Sequence, residues 1–374
     1  MRKLYKAKWL IILIFIALFT FLGRVIDSFS VSQLTVAVII GIDCDESEYS
    51  VTAQTVSASG QSSGESNITY VTMTSKGKTV SDALTSLSKK AGGFLSLAHC
   101  NVVVMSKNAL LKNPDAVLLS LVNSHMLPLN AVIISAEGSP ADIIGAKIPT
   151  GGSAALYLQS LTLTEEKNSI TKNKLNEFLT DYTSKSATSF FALSKKEEIP
   201  DDSVISPSPT ENGATLNLDS NLVITADGKA LVLDADTSKG ANLIKTKLKY
   251  VSFTLDFKGL PLTYELLQSE CKIEYENKKA TASLKASIAI KEVHSEKFSE
   301  YLLDPDFKIA LKAEIEKQLK EYMQNAFEVS KTNDVDFLML KNKAYQREGL
   351  NFKDENFLNS ITFSPSVDLK LAMS

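Results

Sequence analysis

Residues 9–22 read WLIILIFIALFTFL, with Thr20 the single polar position. A helix built from this run is apolar on every side. Four bases, Arg2, Lys3, Lys6 and Lys8, precede it. A basic stretch followed by an apolar one is the layout of a secretory leader. Trp9 suits the cytoplasmic edge of a bilayer, and the basic flank stays inside, so the chain beyond residue 27 faces outward. About 14 residues are short for a full span, but Gly23 to Ile26 lengthen the run if Arg24 snorkels. Ser28-Phe29-Ser30 is the one small-x-small cleavage candidate. The expectation is an uncleaved signal anchor over residues 1–27.

The pattern then changes to short runs of period two. Residues 35–43, TVAVIIGID, form a continuous apolar run and read as a buried strand. YSVTAQTV at 49–56 alternates, and the two pair through Asp43-Cys44-Asp45-Glu46-Ser47. Residues 57–67, SASGQSSGESN, are a polar loop, and Tyr70 to Thr74 return to strand alternation. Val80, Ala83, Leu84 and Leu87 fall at helical spacing, with Thr79 or Ser81 near the cap. Asn101 to Met105 and Ala131 to Ser135 read as strands, and Ala116 to Val122 as a helix. Ser139-Pro140-Ala141-Asp142 has the order of a helix start: Ser as cap, Pro in first place, an acid in the first turn.

A helix is expected over 171–182, with Leu175, Phe178, Leu179 and Tyr182 on one face. KKEEIPDDSVISPSPTENGAT at 195–215 reads as a linker and marks a domain boundary. NLVITADGKALVLD at 221–234 reads as a hairpin turning at Ala226-Asp227-Gly228. Residues 246–257 and 281–293 alternate as strands. Leu311, Ile315, Leu319, Tyr322 and Ala326 define a long amphipathic helix over about 306–329. FSPSVDLKL closes the chain as a strand from Phe363 to Leu371. The expected fold is α+β, with mixed or mainly antiparallel sheets. It divides into an N-terminal α/β domain over 28–205, a middle domain over 206–255 and a C-terminal α+β domain over 256–374.

Charge excludes one class of partner. Residues 25–374 carry 35 bases and 43 acids. A mildly acidic body lacks the clustered cations that nucleic acid requires. Cys44, Cys100 and Cys271 are odd in number and widely spaced, without a CxxC pair, and read as small buried apolar groups. His99, His125 and His294 sit in different segments with no metal-binding spacing. His99-Cys100 suggests a thiol–imidazole pair, but neighbours on a strand point to opposite faces. Asp43, Asp45 and Glu46 resemble a fragment of a calcium loop but lack its glycine and terminal glutamate. Asp201-Asp202 with Asp334 and Asp336 could serve a glycosidase as acid and base, yet nothing in the sequence brings them together. No catalytic, cofactor-binding or metal-binding residue is assigned.

The order of segments carries more than any single motif. An apolar leader precedes VAVIIGIDCDESEYSVTAQTV (36–56), GKTVSDALTSLSKKAGGFLSLAHCNVVVMSKNAL (77–110) and LVNSHMLPLNAVIISAEGSPADII (121–144). This order resembles the C subunit family of spore germinant receptors, often written Ger(x)C. LVITADGKALVLDADTSKGANLI at 222–244 is similar to the start of the family's middle domain. The long helix, NDVDFL at 333–338 and the last strand are similar to its third domain. The shared positions are structural: Gly41 for a turn, Ala83 and Leu84 for helix packing, Val102 to Val104 for a buried strand. Two features depart from the family. Arg24 stands where a lipidated Cys is expected, so the apolar run itself would hold the membrane. The C-terminal tryptophans and terminal glycine are replaced by a region with Tyr345, Phe357 and Phe363.

The resemblance implies a non-enzymatic subunit without cofactor, on the outer face of the spore's inner membrane. It implies action beside two integral membrane subunits, one permease-like, in response to nutrient germinants. Two alternatives stay open. An extracytoplasmic solute-binding protein would show two doubly wound lobes and a cleft. A secreted hydrolase would show titratable groups converging in one pocket.

Overall fold

The computed structural model describes residues 12–18, 34–45, 48–58, 68–123, 127–148, 153–163, 171, 173–183, 188–198, 214–225, 228–293, 304–349 and 356–372. Most of the expected anchor, Ser28-Phe29-Ser30, Glu46, His125, Asp201, Asp202, Asp227 and His294 lie outside them. Residues 12–18 are helical, with Leu13 and Phe15 69% and 59% exposed. Among the described residues no helix is long and apolar enough to cross a membrane.

The continuous apolar run becomes β1 (Leu34–Cys44), an interior strand of a ten-stranded mixed sheet. β2 (Tyr49–Ala58) and β3 (Ile68–Gly77) follow it antiparallel as a meander. α1 (Val80–Lys90) then returns the chain, so that β4 (Phe94–Ser96) and β5 (Val102–Ser106) pair with β1 in parallel. Thr79 is the cap of α1, accepting the Asp82 amide at 3.1 Å. α2 (Lys107–Lys112) and α3 (Pro114–Asn123) lead to β6 (Val132–Ala136), parallel to β5. α4 (Pro140–Ile144) starts as its sequence predicts: the Ser139 hydroxyl accepts the Ala141 amide, and Pro140 opens the first turn.

Gly41 proves not to form a turn. It lies inside β1, where α4 crosses so closely that a Cβ would meet Pro140 Cβ at 2.9 Å and Ile144 Cδ1 at 2.7 Å. α5 (Ala154–Leu163) and the two-residue β7 (Asn173–Lys174) precede α6 (Leu175–Thr183). The helix expected from residue 171 thus starts four residues later, because Asn173 and Lys174 pair with β6. The apolar spacing locates the helix face but cannot see this short bridge.

β8 (Thr188–Glu198) is parallel to β6, and β9 (Ala214–Thr225) returns antiparallel to β8. Lys195, Lys196, Glu197 and Glu198, read as part of a linker, are strand residues paired with β9. The side chains of Lys195, Lys196 and Glu197 are exposed while the backbone makes the ladder. β10 (Ala230–Leu233) closes the expected hairpin and the sheet edge. The expected boundary near residue 205 therefore falls between two paired strands of one sheet. One sheet face buries Ile40, Val103, Ile133 and Phe191 beneath α1, α2, α3 and α6. The other buries Ile39, Val104 and Ile134 beneath α4 and α5.

α7 (Ala235–Lys245) leads to a four-stranded sheet: β11 (Val251–Phe257), β12 (Leu260–Glu276), β13 (Lys279–Val293) and β14 (Thr362–Leu371). The first three strands are antiparallel, and β14 joins β13 in parallel. The long α8 (Pro305–Thr332), then α9 (Leu340–Glu348) and α10 (Phe357–Ser360), cover the inner face. Leu311, Ile315, Leu319, Met323 and Phe327 of α8 are buried against it. This second core also contains Val223 of β9 and Leu233 of β10, so α7 is clamped between the two sheets. The fold is α+β, with one mixed and one mainly antiparallel sheet. Two doubly wound lobes are not the arrangement of the described residues.

Candidate functional site at the seam between the sheets

The residues weighed for chemistry are dispersed. His99 is exposed in a turn closed by the Cys100 amide on the Leu97 carbonyl. Cys100 points inward, its thiol 3.2 Å from the Val102 carbonyl, and burial pushes its pKa up to about 12. Asp43 accepts its neighbour's amide, Cys44 N, at 2.8 Å. Asp334 sits at φ +50° and pairs with exposed Lys229 at 3.6 Å. Among the described residues no group of His, Cys, Asp and Glu could hold a metal ion.

Asp336 is different. After α8 the chain turns sharply: the Val335 amide reaches the Ser330 carbonyl, and the Ser330 hydroxyl donates to the Val335 carbonyl at 2.7 Å. This turn carries Asp336 inward to 9% exposure. Its carboxylate accepts the amides of Leu340 at 2.9 Å and Lys341 at 2.7 Å and so opens α9. Burial raises its pKa, opposed by those two amides and by the charges of Lys341 and Lys245.

Lys245 is the last residue of α7. Lys245 is partly accessible, and burial lowers its pKa to about 8. Asp181 and Asp336 oppose that shift. Asp181, on α6, is raised by burial, with Lys245 opposing and Glu177 adding to the rise. The charge of Lys245 thus interacts with carboxylates from both halves: Asp181 on the first-sheet side and Asp336 on the second. Removing any one member leaves an enclosed charge less compensated. Polar contacts flank the group. Asn242, one turn back on α7 and fully buried, accepts a hydrogen bond from Thr171. Asn325 of α8 donates to the Thr237 hydroxyl at 3.2 Å.

Asp181 also lines a cavity of about 340 Å³ between α2, α6 and the lower end of β9. Lys112, Asp115, Tyr182, Ser189 and Thr225 supply further polar wall. Burial raises the Tyr182 pKa first, and a hydrogen bond and the charge of Asp115 add to the rise. These groups can hold a small polar molecule, but they include no activated nucleophile with its base. Asp115, Asp181 and Lys245 escaped the sequence reading, since nothing in the spacing of α3, α6 and α7 announces that Asp181 shares a cavity with Asp115 and a charge interaction with Lys245.

Two family models match the chain. The model described as "Spore germination protein N-terminal domain" covers residues 27–193. The model described as "Spore germination B3/ GerAC like, C-terminal" covers residues 223–374. No curated protein matches. Among solved structures, the chain is similar to one described as the crystal structure of the GerBC protein. It shares 15% identity and a TM-score of 0.47 over 89% of this chain and 96% of that one, too distant to carry an argument about function.

Proposed function

The chain belongs to the GerAC-like family of spore germination proteins, and from that premise we propose that it is a non-enzymatic, membrane-tethered subunit of a spore germinant receptor. It acts beside two integral membrane subunits, one permease-like, on the outer face of the spore's inner membrane. The observation that carries this reading is the pair of family matches, one on each half of the chain and in family order. The apolar run over 9–22 with its basic flank supports the tether, with residues 1–27 as anchor and the body following outside. The seam supports a scaffolding role: α7 packs on both sheets, and the charge of its Lys245 interacts with a carboxylate from each side.

The test is recovery of the tagged full chain from detergent-solubilised spore membranes, followed by identification of what accompanies it. A permease-like subunit is the expected companion. Recovery of the chain alone, from the soluble fraction, would overturn both the tether and the receptor role.

A further inference from the structure

One end of the first sheet brings exposed apolar residues and lysines together. There β1 and β4 begin side by side, with Leu34 and Phe94 as paired residues. α1 ends at the same place, where the Thr35 hydroxyl donates to the Ala91 carbonyl at 3.2 Å. β3 begins there too, opposite the last residues of β2, and Lys90 Nζ reaches back to the Thr74 carbonyl at 2.8 Å. Leu34, Val71 and Phe94 are 38%, 41% and 39% exposed. Lys89 and Lys90 are exposed beside them.

The charge pattern of this end is one-sided. Residues 34–36, 56–58, 68–74 and 89–101 contain Lys89 and Lys90 but no Asp or Glu, in a chain with more acids than bases. The connection over 59–67, outside the described residues, adds one acid, Glu65. The end is also where the body meets its leader. The stretch from Leu22 to Leu34 spans at most about 40 Å fully extended, so this end is held within reach of whatever the apolar run enters.

We propose that this end is the face the body sets against an anionic lipid surface. Leu34 and Phe94 enter the interface, and Lys89 and Lys90 meet headgroup phosphates. Among the described residues of this end no acid stands where it would be repelled, and large apolar side chains are exposed where lipid would cover them. The inference rests on the tethered reading of residues 9–26.

The test uses the full chain in vesicles containing phosphatidylglycerol, with Trp9→Phe removing the single native tryptophan. Phe94→Trp places a reporter at this end; Ile309→Trp, at a 68% exposed position on α8, is the control. Lipids brominated on their acyl chains should quench the reporter at 94 and leave that at 309 bright. Lys89→Glu with Lys90→Glu, or vesicles of phosphatidylcholine alone, should weaken the quenching. Equal quenching at both positions, with the chain floating with the vesicles, overturns the proposed face and leaves the tether standing. A reporter at 94 that is shielded but unquenched in a dimeric protein overturns it in favour of a second copy. Failure of the chain to float with vesicles overturns the tether and this inference together.

Discussion

Gly240 of α7 lies directly against the Tyr322 carbonyl of α8: a Cβ at position 240 would stand 2.0 Å from that oxygen and 2.7 Å from its carbon. The next obstacle, Ala326 Cβ, is 3.0 Å away. Backbone cannot swing aside as a side-chain end can. In an unconstrained helix, Gly→Ala stabilises by about 1 kcal/mol. Here the helices must separate, and overpacking of this kind costs about 1–3 kcal/mol. Gly240→Ala should therefore lower stability by about 2 kcal/mol, read as a fall in the urea midpoint at unchanged slope. A midpoint at or above wild type would show that the two helices are not in this contact.

Tyr264 is fully buried and stacked on Phe253, with ring centroids 5.5 Å apart. Its hydroxyl donates to Gln318 Oε1 at 2.8 Å, and Gln318 Nε2 donates to the Thr254 carbonyl at 2.9 Å. Gln318 thus pins α8 to β11 and β12 together. Tyr264→Phe keeps the ring and removes one hydrogen bond, at a cost of about 1 kcal/mol. Because Tyr264→Phe already removes that bond, Gln318→Ala should cost less in its background than in the wild type. Equal costs in a double-mutant cycle would dissociate the two residues.

The sequence reading located what local patterning controls. β1, β2, β5, β6, the start of α4 and the span of α8 follow from apolar period and cap chemistry, and their bounds agree with the expected ones to within a few residues. It failed where tertiary pairing decides. ADTSKGANLIK, polar by composition, is a helix because both its faces are covered, burying Thr237, Ser238 and Asn242. KKEE reads as linker but continues β8, since β9 supplies its ladder. The seventeen residues of β12 alternate unevenly across a bulge between Leu266 and Gln268, which breaks the period-two signal. Of the seam, Asp336 was visible only as one acid among several. Its charge interaction with Lys245, and that of Lys245 with Asp181, link residues from three distant segments.

The cysteines should react in order of burial. Cys100 is fully buried with its pKa near 12, and Cys44 is 5% exposed. Cys271 is half-buried, and burial raises it to about 11. All three are free thiols. At mildly alkaline pH a thiol-specific reagent should modify native Cys271 slowly and Cys100 not at all, since the thiolate is the nucleophile. Denaturation should release all three. Rapid native labelling of Cys100, mapped by mass spectrometry, would contradict its placement beneath α1 and α2.

Lys245 gives the seam a pH signature with a definite sign. Its folded pKa is about 8 against an ordinary 10.5. Between those values the unfolded chain holds a proton that the folded chain has released, so stability through this group rises with pH across that window. Below about 8 both states are charged, and the full cost of enclosing the ammonium is present. Asp181 and Asp336 run the other way. Both are raised, so their stabilising contribution is present below 3.8 and lost as pH rises through their folded values. Lys245→Met removes the first effect and enlarges the second, since the carboxylates lose the charge that opposes their shift. Relative to Lys245→Met, the wild type should therefore gain stability as pH rises from 8 to 10. The variant should lose its largest share of stability between acid and neutral pH. The measurement is the difference in unfolding free energy between the two proteins at a series of pH values. Parallel curves throughout would mean that Lys245 is solvated like any surface lysine, and the electrostatic coupling of the two halves would fall with it.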